Sequence, residues 1–469
     1  MSISNSVLDT RFRSAIDRMA ERGRLHTYAA PADPYLEVAG IMKKLDGGPA
    51  LLFSQVNGHD MPVIGNLLSC QANVEAAFGI DFRGVREFVG RALGDPKPPV
   101  LVERAPSQEK VHTKNIDLGK MLPALTHTAA DAGRYVTAGI VIARDPETGV
   151  YNASYHRLML AGPNRAGIQL DFGRHLRAAF ERAQKNGQHL PVVVCIGADL
   201  ALHYTAATMG SQMPENADEL AVAGGLCGRP LNVVKALTQD LLVPAECEIV
   251  LEGVLKCDEE IEEGPFGEFV GYLAPADPAP VLEVTAVTHR AKPIYHAING
   301  YGRETVVLRK YVLEASLLKV LQSAVPIVTD AEMTAGGLHR FHAIIQLKKT
   351  GPTHDGLQRN AIMASFGALK DLDMVIAVDD DIDIRDPSDV EYALATRMEA
   401  SKDIFMMPAA RGHEYVRVSD RGMRTKLGID ATVPFAERER FARCEFKPLD
   451  LDANSFTLDA ATARKRLDL

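Results

Sequence analysis

The residues best placed to do chemistry are two glutamates, Glu263 and Glu268, separated only by Gly264-Pro265-Phe266-Gly267. That insert suits neither a helix nor a regular strand. Gly264 and Gly267 reach backbone angles closed to other residues and Pro265 fixes its own φ, so a rigid turn should bring both acids toward one point. Six acids fall within the eleven residues 258–268, and their mutual repulsion favours protonating some of them unless a cation answers it. A carboxylic acid that titrates near neutrality is suited to proton transfer. The plainer reading is a solvated acidic loop. Against it stand Phe266, Phe269, Val270 and Tyr272, apolar groups that favour burial.

A second informative stretch is Asn152-Ala-Ser-Tyr-His-Arg157, at the start of an apolar strand pattern. An arginine entering a core needs a carboxylate partner, and Glu263 is the candidate. Asn152 and Arg157 are an odd number of residues apart. In an undistorted strand they face opposite ways, so either a bulge intervenes or they serve different sides of one site. A structural ion pair in a barrel is the alternative. A third group is His175 and Glu219, each in the first turn of a helix; with Asn152 they form an N/O ligand set suited to manganese or magnesium. The ordinary alternatives are a capping histidine and a glutamate placed by the helix dipole. The run Asp379-Asp-Asp-Ile-Asp383 reads as a strand end shedding charge into a loop, and Lys348-Lys349 either reaches a phosphate or is solvated. There is no Walker loop, no Gly-x-Gly-x-x-Gly after a strand and no Gly-x-Ser-x-Gly.

The elements that must hold these residues follow from periodicity. Leu8, Phe12, Ile16 and Met19 mark a surface helix, followed by strand-like runs at 50–56 and 62–68 and helical ones near 74–78 and 85–93. This is a small α/β lobe, closed by the proline-rich 94–99. Strand signals dominate from Val111 to about His289, as in a barrel or sandwich, interrupted by helices at 174–185 and 218–226. A long helix over 305–324 bridges to a region alternating strand (341–347, 374–378) and helix (356–369, 390–398), an α/β domain. The tail from Phe446, ending in Arg464-Lys465-Arg466, reads as an arm.

Length and charge set outer bounds. A chain of 469 residues allows two or three domains and a cleft between them. A net charge of −9 without a basic patch argues against nucleic acid. No apolar run reaches the roughly 18 residues that span a bilayer, and the charged start does not read as a signal peptide, so the cytoplasm is the expected location. The six scattered cysteines read as reduced core residues.

Taken together, Asn152-x-x-x-x-Arg157, Glu263-Gly-Pro-Phe-Gly-Glu268 with Gly271-Tyr272, Asp218-Glu-Leu-Ala-Val-Ala-Gly-Gly-Leu and Val378-Asp-Asp-Asp-Ile-Asp resemble the UbiD-like reversible decarboxylases that use prenylated FMN. The resemblance covers most of the chain. It implies an α/β lobe over 1–110, a split β-barrel flavin domain of flavin-reductase type over 111–304, a bridging helix over 305–324, an α/β dimerisation domain over 325–445 and an arm over 446–469. It implies Arg157, Glu263 and Glu268 as the catalytic set, and Asn152, His175 and Glu219 as ligands of a divalent metal, Mn2+ or Mg2+, which with K+ ties down the flavin phosphate. The cofactor contacts expected are Asn152, Ser154, Tyr155, His156, Arg157, Leu158, Arg174, His175, the loop Ser211-Gln212-Met213-Pro214, Glu219 and Lys348. A flavin prenyltransferase would supply the cofactor, and homodimers or hexamers would be the working assembly.

The activity implied is reversible non-oxidative decarboxylation through a covalent flavin adduct, with Glu268 giving the proton that replaces carbon dioxide. His296 and Arg303 follow a strand and either read a second polar group on a ring or serve structure. The first option points to an aromatic or heteroaromatic acid of furan, pyrrole or hydroxybenzoate type. The alternatives are a cinnamate-type acid, a flavin-free metal-dependent hydrolase using the Asp379 cluster, or a non-catalytic carboxylase subunit.

Overall fold

The longest strands of the chain build the sheet that carries the site. In this computed structural model, which describes residues 8–91, 95–170, 174–208, 213, 216–444 and 446, a nine-stranded antiparallel sheet runs in the order Tyr135–Val136, Leu158–Gly162, Arg165–Ile168, Asp277–His289, Ile249–Glu263, Leu190–Ile196, Ile140–Arg144 and Tyr151–Tyr155, with Lys110–His112 also paired to Asp277–His289. The central strand Leu190–Ile196 is a continuous apolar run because both of its faces are covered. Val193 and Cys195 pack toward the helices Leu200–Ala207 and Glu219–Cys227, whereas Val192, Val194 and Ile196 pack toward the helix His175–Lys185. The acid run 258–262 is not a loop: it completes the strand Ile249–Glu263, with Asp258, Glu260 and Glu262 exposed along it.

The N-terminal lobe has its own four-stranded sheet, Leu25–Tyr28, Ala50–Phe53, Val63–Gly65 and Tyr295–His296. Its last strand comes from far along the chain and joins by parallel pairing of Tyr295 with Val63. The helix Arg303–Ala324 then ties two cores together: Val307, Leu308 and Tyr311 pack with the first, and Leu313, Leu317 and Leu321 with the C-terminal one. Inside that junction Lys310 Nζ donates to Glu332 Oε1 across 2.6 Å.

The C-terminal sheet runs Val328–Met333, His342–Leu347, Met374–Asp379, Met423–Ala431, Ile404–Arg411. The helix Leu357–Ala368 covers one face and Pro387–Arg397 the other. All six cysteines are free thiols, yet only Cys195, Cys227 and Cys247 are buried, and Cys444 is exposed. Among the described residues no helix is long and apolar enough to cross a membrane. Apart from the exposed Phe446, the C-terminal arm lies outside the described residues.

Three histidines are buried neutral. Burial pushes His127 and His339 down to about 4, with the Asp131 charge opposing it at His127 and the Lys310 charge adding to it at His339. His203 is pushed well below its usual range by burial and by its neighbour His296. The unfolded chain protonates these rings below pH 6.5 while the native protein does not, so stability present above that pH is lost as pH falls toward 4. Each of His127 and His339 is expected to remove about 3 kcal/mol over that window. Thermal unfolding midpoints measured from pH 7 to 4.5 should therefore fall steeply, and less steeply in His339→Gln.

Candidate active site

The strand Ile249–Glu263 delivers its last residue to the sheet end, and the chain turns there. Gly264 adopts φ +95°, where a side chain would also press on the Pro275 carbonyl. Phe266–Gly267 then pairs with Leu273–Ala274, and the Glu268 amide donates to the Tyr272 carbonyl at 2.9 Å. A second clamp comes from Asp131. Its carboxylate accepts the amides of His127, Thr128 and Gly267 at 3.0, 2.9 and 3.3 Å. Gly300 lies so close under the turn that a Cβ would sit 2.1 Å from the Gly267 carbonyl oxygen. The turn is thereby fixed from three sides.

Arg157 occupies the break between the strands Tyr151–Tyr155 and Leu158–Gly162. Its Nε and Nη2 donate to Glu263 Oε1 and Oε2 at 2.9 and 2.7 Å, and its Nη1 donates to Glu268 Oε1. The three side chains are 11%, 0% and 16% exposed. Burial works against the Arg157 charge, but the bidentate bond to Glu263 and its field outweigh that, and the net shift is upward. The Phe266 ring lies 5.1 Å from the guanidinium and 4.4 Å from the Tyr135 ring. Burial and the Glu263 charge together raise the Tyr135 phenol.

These groups open onto a cleft that is continuous with solvent. Tyr155, His156, Arg157 and Arg174 line it from the central sheet; Phe266, Glu268 and Phe269 line it from the turn. The opposite wall is Thr305 and Arg309 of the bridging helix with Arg340, His413 and Tyr415. Arg340 is held by Asp371 at 2.8 and 2.7 Å, and its guanidinium stands 5.3 Å from the Phe269 ring. Sequence reasoning missed this wall. Arg340, His413 and Tyr415 are single side chains in connecting segments, and Thr305 and Arg309 are two polar positions on a helix whose apolar residues drew the reading.

Arg157 lies outside both flanking strands, so strand parity does not govern it, and Asn152 and Arg157 meet different partners. Asn152, inside its strand, turns away from Arg157 toward Glu219: Asn152 Nδ2 donates to Glu219 Oε1 at 3.0 Å, the Ala153 amide donates to Oε2 at 2.5 Å, and His175 Nδ1 lies 3.4 Å from Oε1. Asp218 caps the helix that starts with Glu219 by accepting the Ala221 amide at 3.0 Å. Burial is the main influence on the Glu219 carboxyl and raises it, against the hydrogen bonds from His175, Ala153 and Asn152. The Ser154 hydroxyl, with one proton, stands 3.0 Å from both Asn152 Oδ1 and His156 Nε2. A desolvated carboxylate and an imidazole meet here beside the Asn152 amide, and they fit a divalent cation once that amide turns its oxygen, rather than Nδ2, toward Glu219. Arg174, adjacent to His175, reaches the cleft.

Other expected contacts lie elsewhere. The Leu158 side chain is in the core and its backbone is paired on both sides, with Ile168 and Val136. Met213 is buried against a separate small cavity beside Tyr204 and Val312; Ser211, Gln212 and Pro214 lie outside the described residues. Lys348 is exposed beside Asp380, at 3.9 Å, away from the cleft lining. The substrate role expected of His296 and Arg303 is not supported. His296 is fully buried and its Nε2 lies 3.1 Å from Glu304 Oε1, while Glu304 also accepts the Leu67 and Leu68 amides. Arg303 is exposed at the helix start, its amide donating to Asp46. The Asp379 cluster is bound up with Arg397 and Arg438 rather than with a metal site.

Three family profiles, the N-terminal, Rift-related and C-terminal domains of 3-octaprenyl-4-hydroxybenzoate carboxy-lyase, match residues 16–96, 100–302 and 306–431 in that order. The chain belongs to the UbiD family. Among UbiD relatives, the anhydromevalonate phosphate decarboxylase of Methanosarcina mazei is 35% identical over 92% of this chain and 98% of its own. The gallate decarboxylase of Lactiplantibacillus plantarum is 30% identical over 90% and 93%. The UbiD-class enzyme HmfF of Pelotomaculum thermopropionicum, solved with FMN, superposes with a TM-score of 0.89 at 40% identity, covering 93% of this chain and 97% of HmfF. An evolved dimeric form of HmfF was solved with prFMN.

Glu263 and Glu268 differ in how deeply the Arg157 charge depends on them. Glu263→Gln should lower the unfolding free energy by about 3 kcal/mol, since it strands a buried guanidinium, whereas Glu268→Gln, at the cleft edge, should cost at most about 1 kcal/mol. Urea titrations of the two variants check this. Glu219→Gln should abolish Mn2+ binding to the apoprotein, followed by the free-Mn2+ paramagnetic resonance signal, with the fold intact.

Proposed function

We propose that this UbiD-family carboxy-lyase catalyses the reversible non-oxidative decarboxylation of an aromatic or heteroaromatic acid with prenylated FMN. The observation that carries the reading is Arg157 bonded to both Glu263 and Glu268 at the edge of a cleft that Arg174 also lines, while Asn152 and His175, the residue after Arg174, line a separate smaller cavity. Asn152, His175 and Glu219 would hold Mn2+ or Mg2+ against the flavin phosphate, with K+ beside it, which lets an anionic chain bind an anionic cofactor. The nine-stranded sheet is then the split-barrel flavin domain, with the domain division as read from the sequence. When bound, the flavin supplies the electron sink for the carbon that loses carbon dioxide.

The residues of the chain do the rest. Arg157, fixed in its plane by the two bonds to Glu263, orients the substrate carboxylate. Glu268 begins bonded to the same guanidinium, and an oxygen that accepts from Arg157 does not donate a proton from that position. Entry of the substrate carboxylate displaces Glu268 from Arg157. Freed beside Phe266 and Phe269, it can carry the proton that replaces carbon dioxide at the reacting carbon. The aromatic wall, with Phe269 at 5.7 Å from His413 and 6.1 Å from Tyr415, limits water around that transfer.

The same reading makes the working form a cytoplasmic homodimer, or a hexamer built from dimers, loaded by a flavin prenyltransferase. The relatives name two substrate chemistries, a ring acid and an unsaturated phosphate-bearing one, so the test must separate them. Flavin-loaded protein should release carbon dioxide from gallate or from furan, pyrrole or hydroxybenzoate acids. Release from anhydromevalonate phosphate or cinnamate alone would overturn the aromatic reading.

A further inference from the structure

We propose a second metal site, unrelated to the decarboxylation, formed by His189, Cys257 and Asp258 and selective for a borderline-soft divalent ion of the zinc type. His189 directly precedes the strand Leu190–Ile196, and Cys257 and Asp258 lie on the neighbouring strand Ile249–Glu263. One ligand atom from each, an imidazole nitrogen, the thiol sulfur and a carboxylate oxygen, all fall within 4.8 Å of one another. Tetrahedral zinc with bonds of about 2.0–2.3 Å needs ligand atoms roughly 3.3–3.8 Å apart. Rotation of two part-exposed side chains, His189 at 35% and Asp258 at 67%, supplies the difference.

Adjacent residues of a regular strand point to opposite faces, so Cys257 and Asp258 should not both reach His189. They do because the strand bulges there. Its pairing with Asp277–His289 is regular at Leu255↔Leu282 and again at Glu260↔Pro280, with the four residues 256–259 of one strand set against the single residue Val281 of the other. Gln184 of the preceding helix steadies the bulge by donating to the Cys257 carbonyl at 2.9 Å. The His189 ring is already turned inward, since its Nδ1 accepts the Cys257 amide across 3.3 Å, a long bond that a metal on the same lone pair would replace. Asp258 Oδ1 lies 3.9 Å from that nitrogen.

The chemistry of the set separates it from the Asn152 cluster. Thiolate and imidazole favour Zn2+ over Mn2+ or Mg2+, whereas an amide, a carboxylate and one imidazole do not. The exposed Glu260 and Glu262 further along the strand raise the local cation concentration. Binding releases the thiol proton to solvent and leaves a water in the fourth position.

Co2+ is the probe, because cobalt bound to a thiolate absorbs in the near ultraviolet and cobalt bound to the sulfur-free Asn152 cluster does not. Full-length apoprotein titrated with Co2+ should develop a thiolate-to-cobalt band that saturates at a single ion per chain and is bleached by Zn2+. The band should vanish in Cys257→Ser, and His189→Gln should weaken binding by about tenfold or more. In the wild-type chain, Zn2+ should protect Cys257 from maleimide, as mapped by mass spectrometry, while the exposed Cys444 stays reactive. No band at saturating Co2+, a band that survives Cys257→Ser, or equal labelling of Cys257 with and without Zn2+ would each overturn the proposal.

Discussion

Arg157 cannot shed its charge, so once the fold buries it, carboxylates must meet it in fixed geometry. Much of the architecture around the cleft follows from that requirement. Glu263 has to arrive at the end of a strand with no freedom, which the fifteen-residue strand Ile249–Glu263 at the centre of the large sheet provides. Glu268 has to come back within reach of the same guanidinium, which requires a turn as tight as Gly264–Gly267, held by Asp131 and admitted by the missing side chain at Gly300. A buried ion pair contributes little to net stability but loses much when half of it is removed. The arrangement is therefore better understood as holding a charge in place than as holding the protein together.

The two acids are unequal in a way that suits proton transfer. Glu263 makes two bonds to Arg157 and has no solvent exposure, so its position is fixed. Glu268 makes one and sits at the cleft edge, where an incoming carboxylate can compete for the guanidinium. The C-terminal part of the chain closes the cleft over this pair through Arg340, His413 and Tyr415, and the helix Arg303–Ala324, rooted in both cores, sets how that wall stands.

Local chemistry was legible in the sequence where short spacing or an electrostatic necessity dictated it. The glycine–proline turn followed from backbone rules and a carboxylate for Arg157 from the cost of burying its charge, whereas strand parity left two options open for Asn152 and Arg157. The turn was expected to bring both acids toward one point, but that Glu268 as well as Glu263 bonds Arg157 depends on a contact between residues 111 apart in the chain, which no local spacing marks. For His296 a substrate role and a structural one were both left open, and the geometry favours the structural one. Its partner Glu304 is eight residues away, but the pairing arises only because Tyr295–His296 crosses over to complete the N-terminal sheet. The acid run was expected to be solvated, and Asp258, Glu260 and Glu262 are exposed, but on a strand rather than a loop, since alternating exposure looks the same as a loop in composition alone.

In the proposed reaction Glu268, released from Arg157, carries the proton. This is tested by incubating the cofactor-loaded enzyme with the decarboxylated product and bicarbonate in deuterium oxide, and following the hydrogen at the former carboxyl carbon by NMR. The account predicts exchange in the wild-type enzyme and none in Glu268→Gln, with the flavin absorbance of the variant unchanged. Exchange in Glu268→Gln at the wild-type rate would contradict it.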